Sequence, residues 1–189
     1  TPAHADSIPV RAAELRIEEG EVLLNAEFAL TFNPTLEEAL QKIPVLKDLG
    51  VELVEQPLAK DDWEGMKVLF EKSTLPLIAD ESCVAETDVE KCHNHFHGIN
   101  IKLTKCSGIT PARRMIAKAK ELGMTVMVGC MNESSVGTAA IAQLAPMLDY
   151  VDMDGALLLS EDIAIGVTIT DGIVHYADSN GIGAALINP

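Results

Sequence analysis

Between residues 35 and 160 the chain alternates short β-branched runs with longer stretches of helical period. The runs Val51–Gln56, Leu75–Asp80, Ile99–Leu103, Thr125–Gly129 and Tyr150–Met153 predict strands whose starts lie 24, 24, 26 and 25 residues apart. That spacing leaves room for one helix between successive strands, which is the βα unit of a parallel sheet. Helices are predicted over Thr35–Leu49, Asp61–Lys72, Thr110–Leu122 and Ser134–Leu148, with a weaker helical signal over Glu86–His95. Thr35 before Leu-Glu-Glu reads as an N-cap with an acidic first turn, Gly50 and Gly123 as stops, and Pro111 as the first helical residue.

The flanks are patterned differently. Residues 8–28 read as a hairpin turning at Glu-Glu-Gly, and residues 166–176 as a second one turning at Asp171-Gly172. These two flanks are expected to pair as a small β-rich unit outside the parallel sheet.

Polar residues end several predicted strands where the loop to the next helix begins: Glu55, Asp80-Glu81, Lys102, Asn132-Glu133, and Asp152 with Asp154. In a (β/α)8 barrel the C-terminal strand ends carry the chemistry. Glu55 and Asp80 on successive strands are hard oxygen donors suited to Mg²⁺ or Mn²⁺, although carboxylates at such junctions also cap helices. In Ile99-Asn100-Ile101-Lys102-Leu103 the period of two places Asn100 and Lys102 on one face and the apolar residues on the other. A lysine on the barrel side needs carboxylates or a metal site around it, and such surroundings tune it towards proton transfer; a lysine reaching out to solvent is the competing reading. Lys105 points the same way from the following loop. Asp152 and Asp154 alternate on one face of the last strand, so a cation is expected between or beside them. Helix capping fits them poorly, because no helix is predicted directly after them.

Composition narrows the remaining choices. Apolar residues make up 48% of the 189 and aromatics only 4%, which favours buried parallel strands under helices. With 29 acidic against 14 basic residues the formal charge is −15, which argues against nucleic acid as a partner. Cys83, Cys92, Cys106 and Cys130 form no CxxC pair and read as reduced, buried residues of a cytoplasmic protein. The longest apolar stretches fall far short of the roughly 20 residues of a membrane helix. The first residues show no secretory signal pattern. His93-Asn94-His95-Phe96-His97 reads as a polar loop before a strand, and Gly181-Ile182-Gly183 is too short for a dinucleotide fingerprint.

Together the strand ends VELVEQPL, PLIADESC, GINIKLTKCSGIT, VMVGCMNESS and YVDMDGALLL resemble, in order and spacing, the muconate-lactonising branch of the enolase superfamily. The likeness covers about residues 35–189, and Asp-x-Asp-Gly favours dipeptide epimerases of the L-Ala-D/L-Glu type over muconate cycloisomerases or o-succinylbenzoate synthases. The resemblance implies an isomerase that removes an α-proton through an enediolate intermediate. It implies Glu55 and Asp80 as two of three Mg²⁺ ligands, Lys102 as one of two acid/base lysines, and Asp152 and Asp154 as the ammonium site for the dipeptide. Lys105 is grouped with the substrate-binding residues.

Two family motifs are missing. No Lys-x-Lys of the second barrel strand is present. Asn25-Ala26-Glu27 is the nearest approach to the Asp-Ala-Asn of the third strand, but it lies about four residues too far from Thr35. The expected organisation is therefore capping strands over 1–34, a partial (β/α)8 TIM barrel of about five βα units over 35–160, and a segment returning to the cap over 161–189. An intact barrel alone needs about 250 residues. Exposed sheet edges in such a half predict a homo-oligomer. A catalytically incomplete binding remnant of the same family is the alternative.

Overall fold

The computed structural model describes residues 34–170 and 172–187, together with the backbone of three two-residue strands before them. Those strands are β1 (Ile8–Pro9), β2 (Ile17–Glu18) and β3 (Glu21–Val22). Asn25, Ala26 and Glu27 lie outside the described residues.

The βα alternation follows in order: α1 (Leu36–Asp48), β4 (Val54–Glu55), α2 (Trp63–Lys72), β5 (Leu77–Ala79), α3 (Val89–Cys92), β6 (Gly98–Lys102). It continues through α4 (Leu103–Cys106), α5 (Ile109–Glu121), β7 (Thr125–Gly129), α6 (Ser135–Ala142) and β8 (Tyr150–Val151). Strands β4 to β8 form one parallel sheet in sequence order, so every connection is a crossover to the adjacent strand. The sheet is curled, as half of a (β/α)8 barrel. Two crossovers hold short 3₁₀ turns, at Glu86–Asp88 and Ala145–Met147.

Local sequence accounts for much of this. Thr35 closes a capping box: the Glu38 amide donates to Thr35 Oγ1 at 3.3 Å, and the Thr35 amide donates to Glu38 Oε2 at 2.8 Å. The α5 helix stops at Gly123, whose φ of +71° favours a residue without Cβ. Ile99, Ile101, Val126 and Val128 are completely buried on the helix-facing side of the sheet. Ala112 and Ala119 of α5, also completely buried, belong to the same core, and their small size lets helix and sheet approach closely.

Several expectations are corrected. The first, second and fifth strands are shorter than their apolar runs, because ladder pairing covers only Val54–Glu55, Leu77–Ala79 and Tyr150–Val151. Leu103 opens the single turn of α4 instead of ending β6. Pro111 is the third residue of α5, whose first is Ile109. The helix expected to reach Leu148 ends at Ala142, and Pro146, which lacks an amide donor, sits in the 3₁₀ turn that follows. Helix over Glu86–His95 shrinks to a 3₁₀ turn and the one turn of α3.

After the sheet come β9 (Ala164–Ile165), β10 (Thr168–Thr170), β11 (Ile173–His175) and β12 (Ala185–Leu186). The β10–β11 hairpin turns at Gly172, whose φ is +72°, and β11 also pairs antiparallel with β1, so the two ends of the chain meet. Strands β2 and β3 pair antiparallel, Ile17 with Val22 and Glu18 with Glu21. No helix among the described residues is long and apolar enough to cross a membrane.

Candidate active site

Because the five strands are parallel, their C-terminal ends bring Glu55, Asp80, Lys102 and the residues after β7 and β8 to one rim. Asp80 is the centre of this rim. It lies one residue beyond β5, and its side chain is only 8% exposed. Lys102 Nζ lies 3.1 Å from Asp80 Oδ2, and Lys105 Nζ donates to Oδ1 at 2.7 Å. Two ammonium groups thus offset the burial of one carboxylate, which is the condition for a buried charge to be tolerated. The period-two reading of β6 holds here, since Lys102 turns towards Asp80 while Ile99 and Ile101 enter the core. Lys105 sits in α4 and turns back to the same carboxylate.

Glu55 ends β4 and accepts a 2.5 Å hydrogen bond from Asn100 Nδ2. The residue after it, Gln56, has φ +38° and ties the two neighbouring strand ends together. Gln56 Oε1 accepts from the amides of Asp80 and Ser82, each at 3.1 Å, and its Nε2 donates to Ser82 Oγ and to the Leu58 carbonyl, each at 3.0 Å. Gln56 therefore fixes the backbone that carries Asp80. Its polar character was visible in the sequence, but its partners lie 24 and 26 residues away.

The other half of the rim is acidic and open. A cavity of about 470 Å³ is lined by Lys102, Cys130, Met131, Asn132, Asp152 and Asp154. Cys130 Sγ lies 3.6 Å from Asp154 Oδ1 and 4.0 Å from Asp152 Oδ1, and one ligand atom of each residue falls within 4.8 Å of the others. Burial, reinforced by the Asp152 charge, pushes the Cys130 thiol up to about 12, so it stays protonated at neutral pH and acts as a weak donor. The sequence treated Cys130 only as a small buried hydrophobe; its position one residue beyond β7 was the available signal.

Asp152 and Asp154 follow β8 instead of lying within it, and Met153 between them is buried. A 3₁₀ turn, Gly155–Leu158, does follow at once, contrary to expectation. Asp154 occupies its N-cap position, yet its side chain makes no cap hydrogen bond. The capping explanation therefore fails for Asp154 on geometry. Glu133, also at this rim, is buried and bends back to accept from the Met131 amide at 3.1 Å, a loop-closing role.

The histidine tract does not gather. His93 Nδ1 is 3.3 Å from Asn94 Nδ2, His95 packs edge-on against Trp63, and His97 lies against Phe70. Among the described residues no metal cluster includes them. All four cysteines are buried and free.

Comparison with known proteins identifies the family. A family model described as enolase C-terminal domain-like matches residues 2–188. The L-Ala-D/L-amino acid epimerase of Flavobacterium johnsoniae is 61% identical over 152 residues, which are 80% of this chain and 45% of that protein. The structure of a substrate-liganded complex of the L-Ala-D/L-Glu epimerase from Bacillus subtilis superposes with a TM-score of 0.74 at 33% identity, covering 80% of this chain and 45% of that one. A dipeptide epimerase from Cytophaga hutchinsonii, complexed with Mg and the dipeptide D-Ala-L-Val, gives 0.76 at 27% identity over 82% and 44%. Relatives so named are isomerases, and this chain spans less than half of their length. The half-barrel sheet, its polar rim and these likenesses converge: the chain belongs to the enolase C-terminal domain-like family.

Proposed function

We propose that this chain serves Mg²⁺-dependent epimerisation of dipeptides of the L-Ala-D/L-Glu type, by removal and return of an α-proton. One observation carries the reading: one cavity is lined both by a lysine and by two carboxylates. A dipeptide presents an ammonium at one end and an acidic α-carbon further along, which matches that distribution of charge. Asp152 and Asp154 hold the ammonium, with the Cys130 thiol beside both carboxylates. Lys102 Nζ takes the α-proton as the free amine and returns it as the ammonium. Asp80 orients Lys102, and Lys105 shares the same carboxylate.

Glu55 and Asp80 are the residues that would hold a divalent cation. They fit the group in donor type and placement, both being hard oxygen donors at the ends of adjacent strands, while the ammonium groups of Lys102 and Lys105 now hold the Asp80 oxygens that a cation would take over. Bound there, Mg²⁺ (or Mn²⁺) supplies a fixed positive charge against the substrate carboxylate, where negative charge builds as the α-proton leaves.

Among the described residues lining the cavity, Lys102 is the only lysine, and this favours a second reading of partial chemistry. One base exchanges a proton on one face of the α-carbon; inversion needs a second lysine on the other. Incubation with L-Ala-L-Glu and Mg²⁺ in D₂O separates the readings. Deuterium at the Glu α-carbon together with the D-Glu epimer marks the complete reaction. Deuterium without epimer marks one-base exchange, and neither product would sink the catalytic reading. We also infer a homo-oligomer, because among the described residues the parallel sheet ends on β4 and β8 with open edges, and a cytoplasmic setting, which suits four free thiols. Native mass measurement tests the first; a particle of one chain's mass would overturn it.

A further inference from the structure

Asn100 is 1% exposed and lies on β6, two residues before Lys102. Its Nδ2 reaches over β5, which separates β4 from β6, to donate to Glu55 Oε1. Inward side chains of (β/α)8 barrels pack in layers drawn from alternate strands, and Glu55 with Asn100 forms such a pair. The amide makes this bond at the expense of its own satisfaction, because Asn100 Oδ1 is buried without a hydrogen-bond partner. Turning the amide over would set two acceptor oxygens against each other, so the carboxylate dictates its orientation.

Gly129 makes the space. A Cβ at that position would lie 2.7 Å from Asn100 Nδ2 and 2.9 Å from Oδ1. Its φ is not positive, so the close approach of the amide, not the backbone, is what calls for glycine here. Gly129 pairs directly with Lys102 in the ladder, which places the device under the proposed base.

We propose that Asn100, seated over Gly129, is a positioning residue that sets the direction of the Glu55 carboxylate for a divalent cation. The inference rests on the reading of Glu55 as a metal ligand. Partners that orient a metal ligand change affinity by about 10- to 100-fold when removed. A buried amide kept for stability ordinarily pairs both its oxygen and its nitrogen.

The test is Mn²⁺ binding to the full chain, followed by the loss of the free-ion paramagnetic resonance signal, with melting temperature measured in parallel without metal. Asn100→Ala and Asn100→Leu are each expected to weaken Mn²⁺ binding about 10- to 100-fold. Asn100→Leu is expected to lower the metal-free melting temperature less than Asn100→Ala, since it removes the unpaired acceptor along with the donor and keeps the volume filled. Gly129→Ala, which pushes the amide away, is expected to weaken binding in the same direction. Unchanged affinity in both Asn100 variants, with binding lost in Glu55→Gln, would overturn this inference and leave the metal reading standing. Equal or absent binding in wild type and Glu55→Gln would overturn the metal reading and this inference with it. A fall in melting temperature in both Asn100 variants, with affinity lost only in proportion to unfolding, would leave a structural role alone.

Discussion

At the N-terminal rim of the sheet, the Val126 amide donates to Asp149 Oδ2 at 2.8 Å, and the Leu77 amide donates to His97 Nδ1 at 3.1 Å. At the C-terminal rim, Asp80 meets two lysines, and Asp152 with Asp154 meets a thiol and a cavity. Both rims contain aspartates, and β8 alone has them at both ends, Asp149 before it and Asp152 with Asp154 after it. At the first rim each polar side chain satisfies a backbone donor of a neighbouring strand, stitching β5 to β6 and β7 to β8. At the second, side chains meet one another, and charge collects where backbone pairing does not demand it. An Asp or His closing a ladder is a stability device. Charges lining one cavity are a chemical one, held in place by the stitched rim beneath.

Four variants would break or sharpen that contrast. The largest effect is expected from Lys102→Ala, which should lower α-deuterium exchange by about 10²- to 10⁴-fold, the usual contribution of a positioned acid or base. Its melting temperature should move little, because Asp80 retains Lys105. Next, Asp152→Asn with Asp154→Asn should raise KM for dipeptides with a free amino terminus by about 10- to 100-fold, the equivalent of one charged hydrogen bond. N-acetylated dipeptides should show no such rise; an equal rise for both would remove the ammonium assignment.

The N-terminal rim should answer in stability alone. Asp149→Ala orphans the buried Val126 amide and should cost about 1–3 kcal/mol in denaturant unfolding, with exchange per folded molecule unchanged. The smallest effect concerns pH. Burial holds His97 below its usual value near 6.5, so below that pH the unfolded chain takes up a proton that the native chain refuses. The His97 contribution is therefore complete above 6.5 and is lost as pH falls towards the lowered native value. His97→Gln should flatten the unfolding free energy over that interval, and an unaltered pH profile would contradict the assignment.

The contrast between the rims also separates what was legible from what was not. Wherever the determinant is local, the sequence carried it: the Thr35–Glu38 box, the stop at Gly123 and the two faces of Ile99–Leu103 all depend on residues within a few positions of one another. Gln56, Asn100 and Cys130 were not legible, because their partners lie 24, 45 and 24 residues away and come near only when the sheet forms. The start of α6 shows the same limit. Ser134 occupies its N-cap position, yet its side chain makes no cap bond, and Asp162 instead accepts from the Ser135 amide at 2.7 Å and from its hydroxyl at 2.8 Å.

By itself, then, the sequence determined the period of the βα units, the polar residues ending each strand and the family they resemble. Hydrophobic periodicity and caps are set by nearest neighbours along the chain, so they survive without a folded context. Only the tertiary structure decided which of those residues share a charge: that Asp80 lies between Lys102 and Lys105, that Cys130 joins Asp152 and Asp154, and that Asn100 turns its amide to Glu55. Electrostatic and hydrogen-bond energies depend on separations of a few ångströms, and those separations come into being only when parallel strands pair in register.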